Sequence, residues 1–385
     1  MKWLALLRFP VLASAMALLL TGVAAGLARL DWSVPLMDTP ARAGLHGGLM
    51  ISGFLGTLIG LERAVALGHF RGYLGPLLTG IGGLSLIAGA PPVFAIGLIT
   101  AGSALLSTAL LPFLARQFTI HQTIITIGAV LWTIGNGLWW HGWPLYAVTP
   151  WWMGFLLFTI AGERLELSRL LQLSVSAYAG FLGGLSLFVC GILVKSYGQY
   201  ALSVLPSHGA RMLGLGDAIL GLGMLAIAAW LMHFDMARRA LKQPGLHRYV
   251  AVALLVGYGW LAFGGAVALI AIVHPAGPDA LIVGPIYDAT IHAFTIGFVL
   301  AMIFGHGPLV FPAVLGIPIT FHRAFYLPLL VLNGGLLLRL LGDLIDWRTG
   351  QTWGAMISSV AILMFVVTVV STVILSISQK RRGRS

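Results

Sequence analysis

A chain of 385 residues that is 59% hydrophobic and only 9% charged, with a mean hydropathy of +0.97, cannot build a water-soluble surface, where roughly 25% charge is usual. The formal net charge of +11 would suit nucleic acid, but the basic residues flank apolar stretches and so serve membrane orientation, which excludes nucleic acid as a partner. The lone Cys190 excludes an intrachain disulfide, a CxxC pair and a thiolate metal cluster, and the continuous apolar runs exclude a transmembrane β-barrel.

Apolar stretches at 9–30, 44–67, 73–90, 92–115, 120–141, 144–162, 170–194, 213–234, 248–273, 283–305, 308–341 and 354–378 predict twelve helices of about 20 residues each, the length that spans a bilayer. The first follows Lys2 and Arg8. It exceeds the roughly 7–15 residues of a signal-peptide core, which predicts a retained span. In the eleventh, Pro308, Pro312 and Pro318 predict a loop or half-helix before a span from about Phe321. No linker or low-complexity tract intervenes, so 1–385 reads as a single transmembrane domain. Glycine, at 50 residues, is about twice its usual ~7% share, which suits helices packed through small residues.

Orientation follows from the basic residues. With the N-terminus inside, 16 of the 22 lysines and arginines fall on inner segments, and only Arg29, Arg42, Lys195, Arg211, Arg339 and Arg348 fall outside. The clusters at 238–248 and 380–384 are both inner only if the helix count is twelve, which predicts cytoplasmic termini in a bacterial-type inner membrane.

An internal repeat sets the expected plan. Helix 2 carries GFLGTLIGLER from Gly53 and helix 6 carries GFLLFTIAGER from Gly154, identical at six of eleven positions. Helix 10 carries GFVLAMIFGHG from Gly297, with His306 standing where the others have Glu62 and Glu163. Repeat-related helices spaced by four predict an all-α protein of three four-helix units around a pseudo-threefold axis, with Gly53, Gly154 and Gly297 inward.

The 11 histidines are where chemistry is to be sought. His46 and His292 lie seven and five residues before the shared Gly-Phe landmark on two helices that enter from outside, so their depths agree to about 3 Å. Gly47, Gly48 and Gly53 on one side, and Ala293 and Gly297 on the other, leave room beside them for a flat macrocycle with one axial imidazole from each helix. Asp288, Thr290 and Thr295 are candidate partners for the second nitrogen of His292.

At the inner end, Glu62, Glu163 and His306 are a candidate divalent-metal or proton-relay set. The plainer expectation there is ion pairing of each Glu with arginine. His69, His121, His233, His247 and His322 read as interfacial, and His141, His208 and His274 as outer-end residues. Trp139, Trp140, Trp143, Trp151 and Trp152 read as an aromatic belt.

Twelve helices with histidines on helices 2 and 10 resemble the catalytic subunit of the heme-copper oxidase superfamily. The segments LHGGLMISGF and IHAFTIGFVLAMIFGHG look still more like the NnrS family, heme- and copper-associated membrane proteins linked to nitric oxide stress and denitrification. The resemblance implies a heme-copper-oxidase-like fold, a b-type heme on His46 and His292, copper as a further candidate cofactor, and a redox partner or small gaseous ligand. Two departures stand out. Thr290 and Phe294 flank His292 where an oxidase has a second histidine, and 144–162 and 170–194 hold none of the copper-ligand histidines. An oxidase-type binuclear centre is therefore not expected. The competing expectation is a secondary transporter with a broken-helix substrate site after Gly305, and a third is an assembly protein without chemistry.

Overall fold

The computed structural model describes all residues except 1, 36, 38, 117, 169–170, 273–283, 317–320 and 383–385. Among the described residues twelve long helices occur: α1 (Lys2–Ala28), α2 (Gly48–Leu55 continued by Gly56–Leu67), α3 (Phe70–Ile87), α4 (Pro92–Arg116), α5 (Ile120–Trp140), α6 (Leu145–Ser168), α7 (Val175–Leu202), α8 (Pro206–Phe234), α9 (Leu246–Ile270), α10 (Pro285–His292, Ala293–Leu300 and Ala301–Leu315), α11 (Tyr326–Leu344) and α12 (Arg348–Arg382). The predicted stretch 308–341 is shared between the end of α10 and α11. No strand occurs among the described residues. Among the described residues eleven helices are long and apolar enough to cross a membrane, so this is a multi-pass membrane protein. The twelfth, α3, has 18 residues, and its glycines at 72, 75, 80, 82 and 83 dilute its apolarity, which leaves it outside the eleven.

The chain divides into two compact units, Met1–Glu163 with Ala313–Gly316, and Arg164–Pro312 with Ile317–Ser385. The sequence predicted three groupings of four helices within one domain. Short connections make consecutive helices neighbours. In the first unit α1 packs on α2 and α3, α3 on α4, and α4 on α5. In the second α7 packs on α8, α8 on α9, α9 on α10, and α11 on α12.

A period of four helices is nonetheless present in the packing. In three hairpins glycines seven residues apart let the partner backbone approach: Gly75 and Gly82 of α3 against α4, Gly191 and Gly198 of α7 against α8, and Gly335 and Gly342 of α11 against α12. The same spacing recurs at Gly128 and Gly135 of α5 against α6, and at Gly257 and Gly264 of α9 against α10. Seven residues is close to two helical turns, so each pair lies on one face and acts as a seam. Among the eleven spans α2, α6 and α10 are the most buried, at 61%, 83% and 61%, against at most 56% elsewhere. Gly53, Gly154 and Gly297 are all buried.

The expected proline break is not found. Pro308 and Pro312 lie inside a helix that runs on to Leu315 and closes at Gly316 in the left-handed region, φ +70°. Proline lacks an N–H and orphans the carbonyl four residues earlier. For Pro308 that carbonyl is Phe304 O, and the Tyr249 hydroxyl donates to it at 3.0 Å. A side chain from α9 thus supplies the missing bond, and the helix persists. Pro318 lies outside the described residues.

Candidate functional site

His46 stands just before a π-helical stretch, Gly48–Leu55. Its Nδ1 donates to the Gly22 carbonyl of α1 at 2.7 Å. Gly26, one turn further along α1, lies so close to the ring that a Cβ there would stand 2.6 Å from Nδ1. Gly26 therefore opens the slot for this imidazole, whereas a Cβ on Gly22 would meet Met50 and Leu49. A carbonyl can only accept, so the proton is on Nδ1 and the lone pair on Nε2.

His292 repeats this arrangement in the second unit. It immediately precedes the π-helical stretch Ala293–Leu300, and its Nδ1 donates to the Asp288 carbonyl at 2.8 Å. The Asp288 carboxylate is also near, Oδ2 at 3.3 Å. That same oxygen accepts from Arg339 Nη2 of α11 at 2.6 Å, and Arg339 Nε lies 4.0 Å from Asp343 Oδ2. A histidine backed by a carboxylate is fixed in orientation and is a stronger ligand. Of the expected partners only Asp288 serves. Thr295 donates to Ile291 O of its own helix, and the buried Thr290 hydroxyl has no hydrogen-bond partner among the described residues.

Beside Asp288, the Tyr287 ring carries Lys195 Nζ 5.6 Å from its centroid, and Lys195 pairs with Asp217 at 2.5 Å. Sequence reading placed Lys195 and Arg339 as outer flanking charges. They are instead buried partners of carboxylates, and charges at helical depth persist only when so paired. The signals were Arg339 and Asp343 four residues apart in one apolar span, and the isolated Lys195 and Asp217 within α7 and α8.

The small residues beside the two histidines are used differently from expectation. A Cβ on Gly48 would meet Trp139, one on Gly53 would meet Leu18, and one on Gly297 would meet Trp260, while only Gly47 faces open space. These glycines seat neighbouring side chains. Trp151 and Trp152 are buried and not belt residues. Trp152 Nε1 donates to Asn136 Oδ1 at 2.9 Å, Ser52 donates to the same oxygen at 2.6 Å, and Trp132 Nε1 donates to Ser52 at 2.9 Å. Sequence reading missed this polar knot. Its signal was Asn136 and Ser52 within otherwise apolar spans.

At the predicted inner end, no three His, Cys, Asp or Glu side chains among the described residues form a metal-binding group. Glu62 and Glu163 belong to the first unit and His306 to the second. Glu163 is bound by Arg63, and His306 Nδ1 donates to Met302 O at 2.8 Å. The Glu-Arg signature so pairs across the repeat, the arginine of α2 with the glutamate of α6. Arg164 in turn lies 3.9 Å from Asp235. His322 accepts from Ala324 N at 3.1 Å as a cap, and His274 lies outside the described residues.

The family model described as a domain of unknown function (DUF8744) matches residues 8–374. The chain belongs to this family. No curated protein matches it. The DUF8744 match runs from α1 into α12, so both histidine sites are part of the family's common length.

Proposed function

We propose that this DUF8744 protein is a heme-binding membrane protein of NnrS-like type, serving nitric oxide response or electron transfer, with His46 and His292 as axial ligands. One observation carries the reading. On two repeat-related helices a histidine stands at the head of an eight-residue π-helical stretch, with Nδ1 bound to a backbone carbonyl. π-Helical segments concentrate at functional sites, and Nδ1 anchoring presents Nε2 to a metal. This donor set fits heme iron. Bound there with both axial positions filled, heme would supply one-electron chemistry. Asp288 holds the His292 ring, Arg339 holds Asp288, and the carbonyl of Gly22 holds His46.

The recurrence of glycine seams every four helices and the deep burial of α2, α6 and α10 support the finer plan of three four-helix units with a heme-copper-oxidase-like arrangement. The distribution of basic residues supports an inner-membrane location with both termini cytoplasmic. The transporter reading rested on a broken helix, and α10 continues through Pro308 and Pro312.

The visible spectrum of detergent-purified protein tests the proposal. A sharp Soret band with a reduced α band is expected, and His46→Ala or His292→Ala should each abolish the low-spin spectrum while membrane insertion continues. A colourless wild-type protein from heme-sufficient cells, or a normal low-spin spectrum in either variant, rejects it.

A further inference from the structure

A cavity of about 700 Å3 opens in the second unit where α8 ends, lined by Arg238, Arg239, Lys242, His233, Leu173 and Phe234 among others. Three of these are permanent cations within five residues of chain. Arg238, Arg239 and Lys242 are exposed, and none of them forms an ion pair with a described carboxylate. The one acid in the lining is Asp235, itself buried. Its Oδ1 accepts from the Ala237 N–H at 2.7 Å, and Arg164 Nη1 lies 3.9 Å from its Oδ2. Burial pushes the Asp235 carboxyl above the usual carboxylate range, opposed by Arg164. The lining therefore keeps a surplus of positive charge.

We propose that this cavity is a headgroup site for an anionic phospholipid. The cations supply the recognition of a phosphate oxygen, which arginine binds with geometric fit and lysine as a point charge. Basic pockets beside transmembrane helices, on the side that carries the excess of lysine and arginine, attract anionic lipid. The remainder of the lining decides between a lipid and a soluble phosphate. Leu171, Leu173 and Phe234 form an apolar wall, of no use to an inorganic anion. Directly beyond it the first residue of α7, Val175, is 87% exposed, which offers apolar surface along which acyl chains continue. The volume also suits a headgroup with its glycerol, within the roughly 300–1,000 Å3 of small-molecule sites.

The test uses the full chain in a neutral detergent, titrated separately with short-chain phosphatidylglycerol, phosphatidylcholine of equal chain length, sn-glycerol 3-phosphate and inorganic phosphate. The readouts are the thermal unfolding midpoint and the adducts retained in native mass spectrometry. Phosphatidylglycerol should raise the midpoint saturably and remain as one adduct, while the other three at equal concentration do neither. At about 1 kcal/mol for each basic residue near a charged headgroup, Arg239→Gln or Lys242→Gln should weaken phosphatidylglycerol binding about fivefold. The triple variant R238Q/R239Q/K242Q should weaken it about a hundredfold, and Arg211→Gln, remote in sequence at the start of α8, should not. Should the triple variant not fold, the single variants decide by the same criterion. Equal binding of phosphatidylcholine overturns the proposal, as does unchanged phosphatidylglycerol binding in the variants. A response to glycerol 3-phosphate or inorganic phosphate as strong as that to the lipid overturns it in favour of a soluble anion.

Discussion

Gly47 and Gly56 flank the two ends of the π-helical stretch of α2, yet a methyl group would meet opposite surroundings at each. Around Gly47 nothing lies within 4 Å, whereas a Cβ on Gly56 would collide with the Trp132 ring. Trp132 is only 1% exposed, stacks on Phe155 at 4.7 Å and donates to Ser52, so it has no room to turn aside. Gly56→Ala should therefore cost about 1–3 kcal/mol, the usual range for overpacking a tight core. Gly47→Ala should stay within about 0.5 kcal/mol, as at an unconstrained site. Unfolding midpoints of the two variants side by side check this, and equal shifts would mean that the indole is not fixed. The residue scale also explains why Ser52 and Asn136 persist in apolar helices: each shares its oxygen with an indole N–H, and buried polar groups are tolerated when so bonded.

At the scale of elements, α10 joins a π-helical stretch to a helix containing two prolines. The Tyr249 bond to Phe304 O gives a direct account of how the segment after Gly305 stays helical. Tyr249→Phe should strand that buried carbonyl and cost about 1–3 kcal/mol. Pro308→Ala restores an N–H to the same acceptor, so in that background Tyr249→Phe should cost about 1 kcal/mol less. A double-mutant cycle measures the difference, and strict additivity would show that the hydroxyl does not act through the carbonyl orphaned by Pro308. The glycine seams follow a similar element-level logic. A heptad of glycines removes Cβ atoms along one face, and lipid offers no hydrophobic drive to bring helices together, so close backbone packing takes that role.

For the whole molecule, α8 runs from Arg211 near its start to the basic segment with Lys242 just beyond its end, so the two lie on opposite faces of the membrane. In a Cys190→Ser background, Lys242→Cys should react with a membrane-impermeant maleimide only in inside-out vesicles, and Arg211→Cys only in intact spheroplasts. The opposite pattern would invert the proposed orientation, and the lipid site and the two histidines would exchange leaflets with it.

The composition and the lengths of the apolar runs, taken alone, determined the all-helical membrane class and placed an apolar run on each of the eleven candidate spans. Bilayer thickness and the lack of water in its core act on each segment separately, so these properties are local to the chain. The same reading singled out His46 and His292 and one true partner, Asp288, four residues away on the same helix. Tertiary structure decided what lies beyond one helix. It placed the Gly22 carbonyl on His46, Arg339 on Asp288, Arg63 on Glu163, Lys195 on Asp217, and indoles over the glycines that had seemed open to a macrocycle. It also supplied, by a hydroxyl from α9, the bond that Pro308 removes from α10. Hydrogen bonds and ion pairs form between groups brought together by packing, and sequence separation carries no record of which groups those will be.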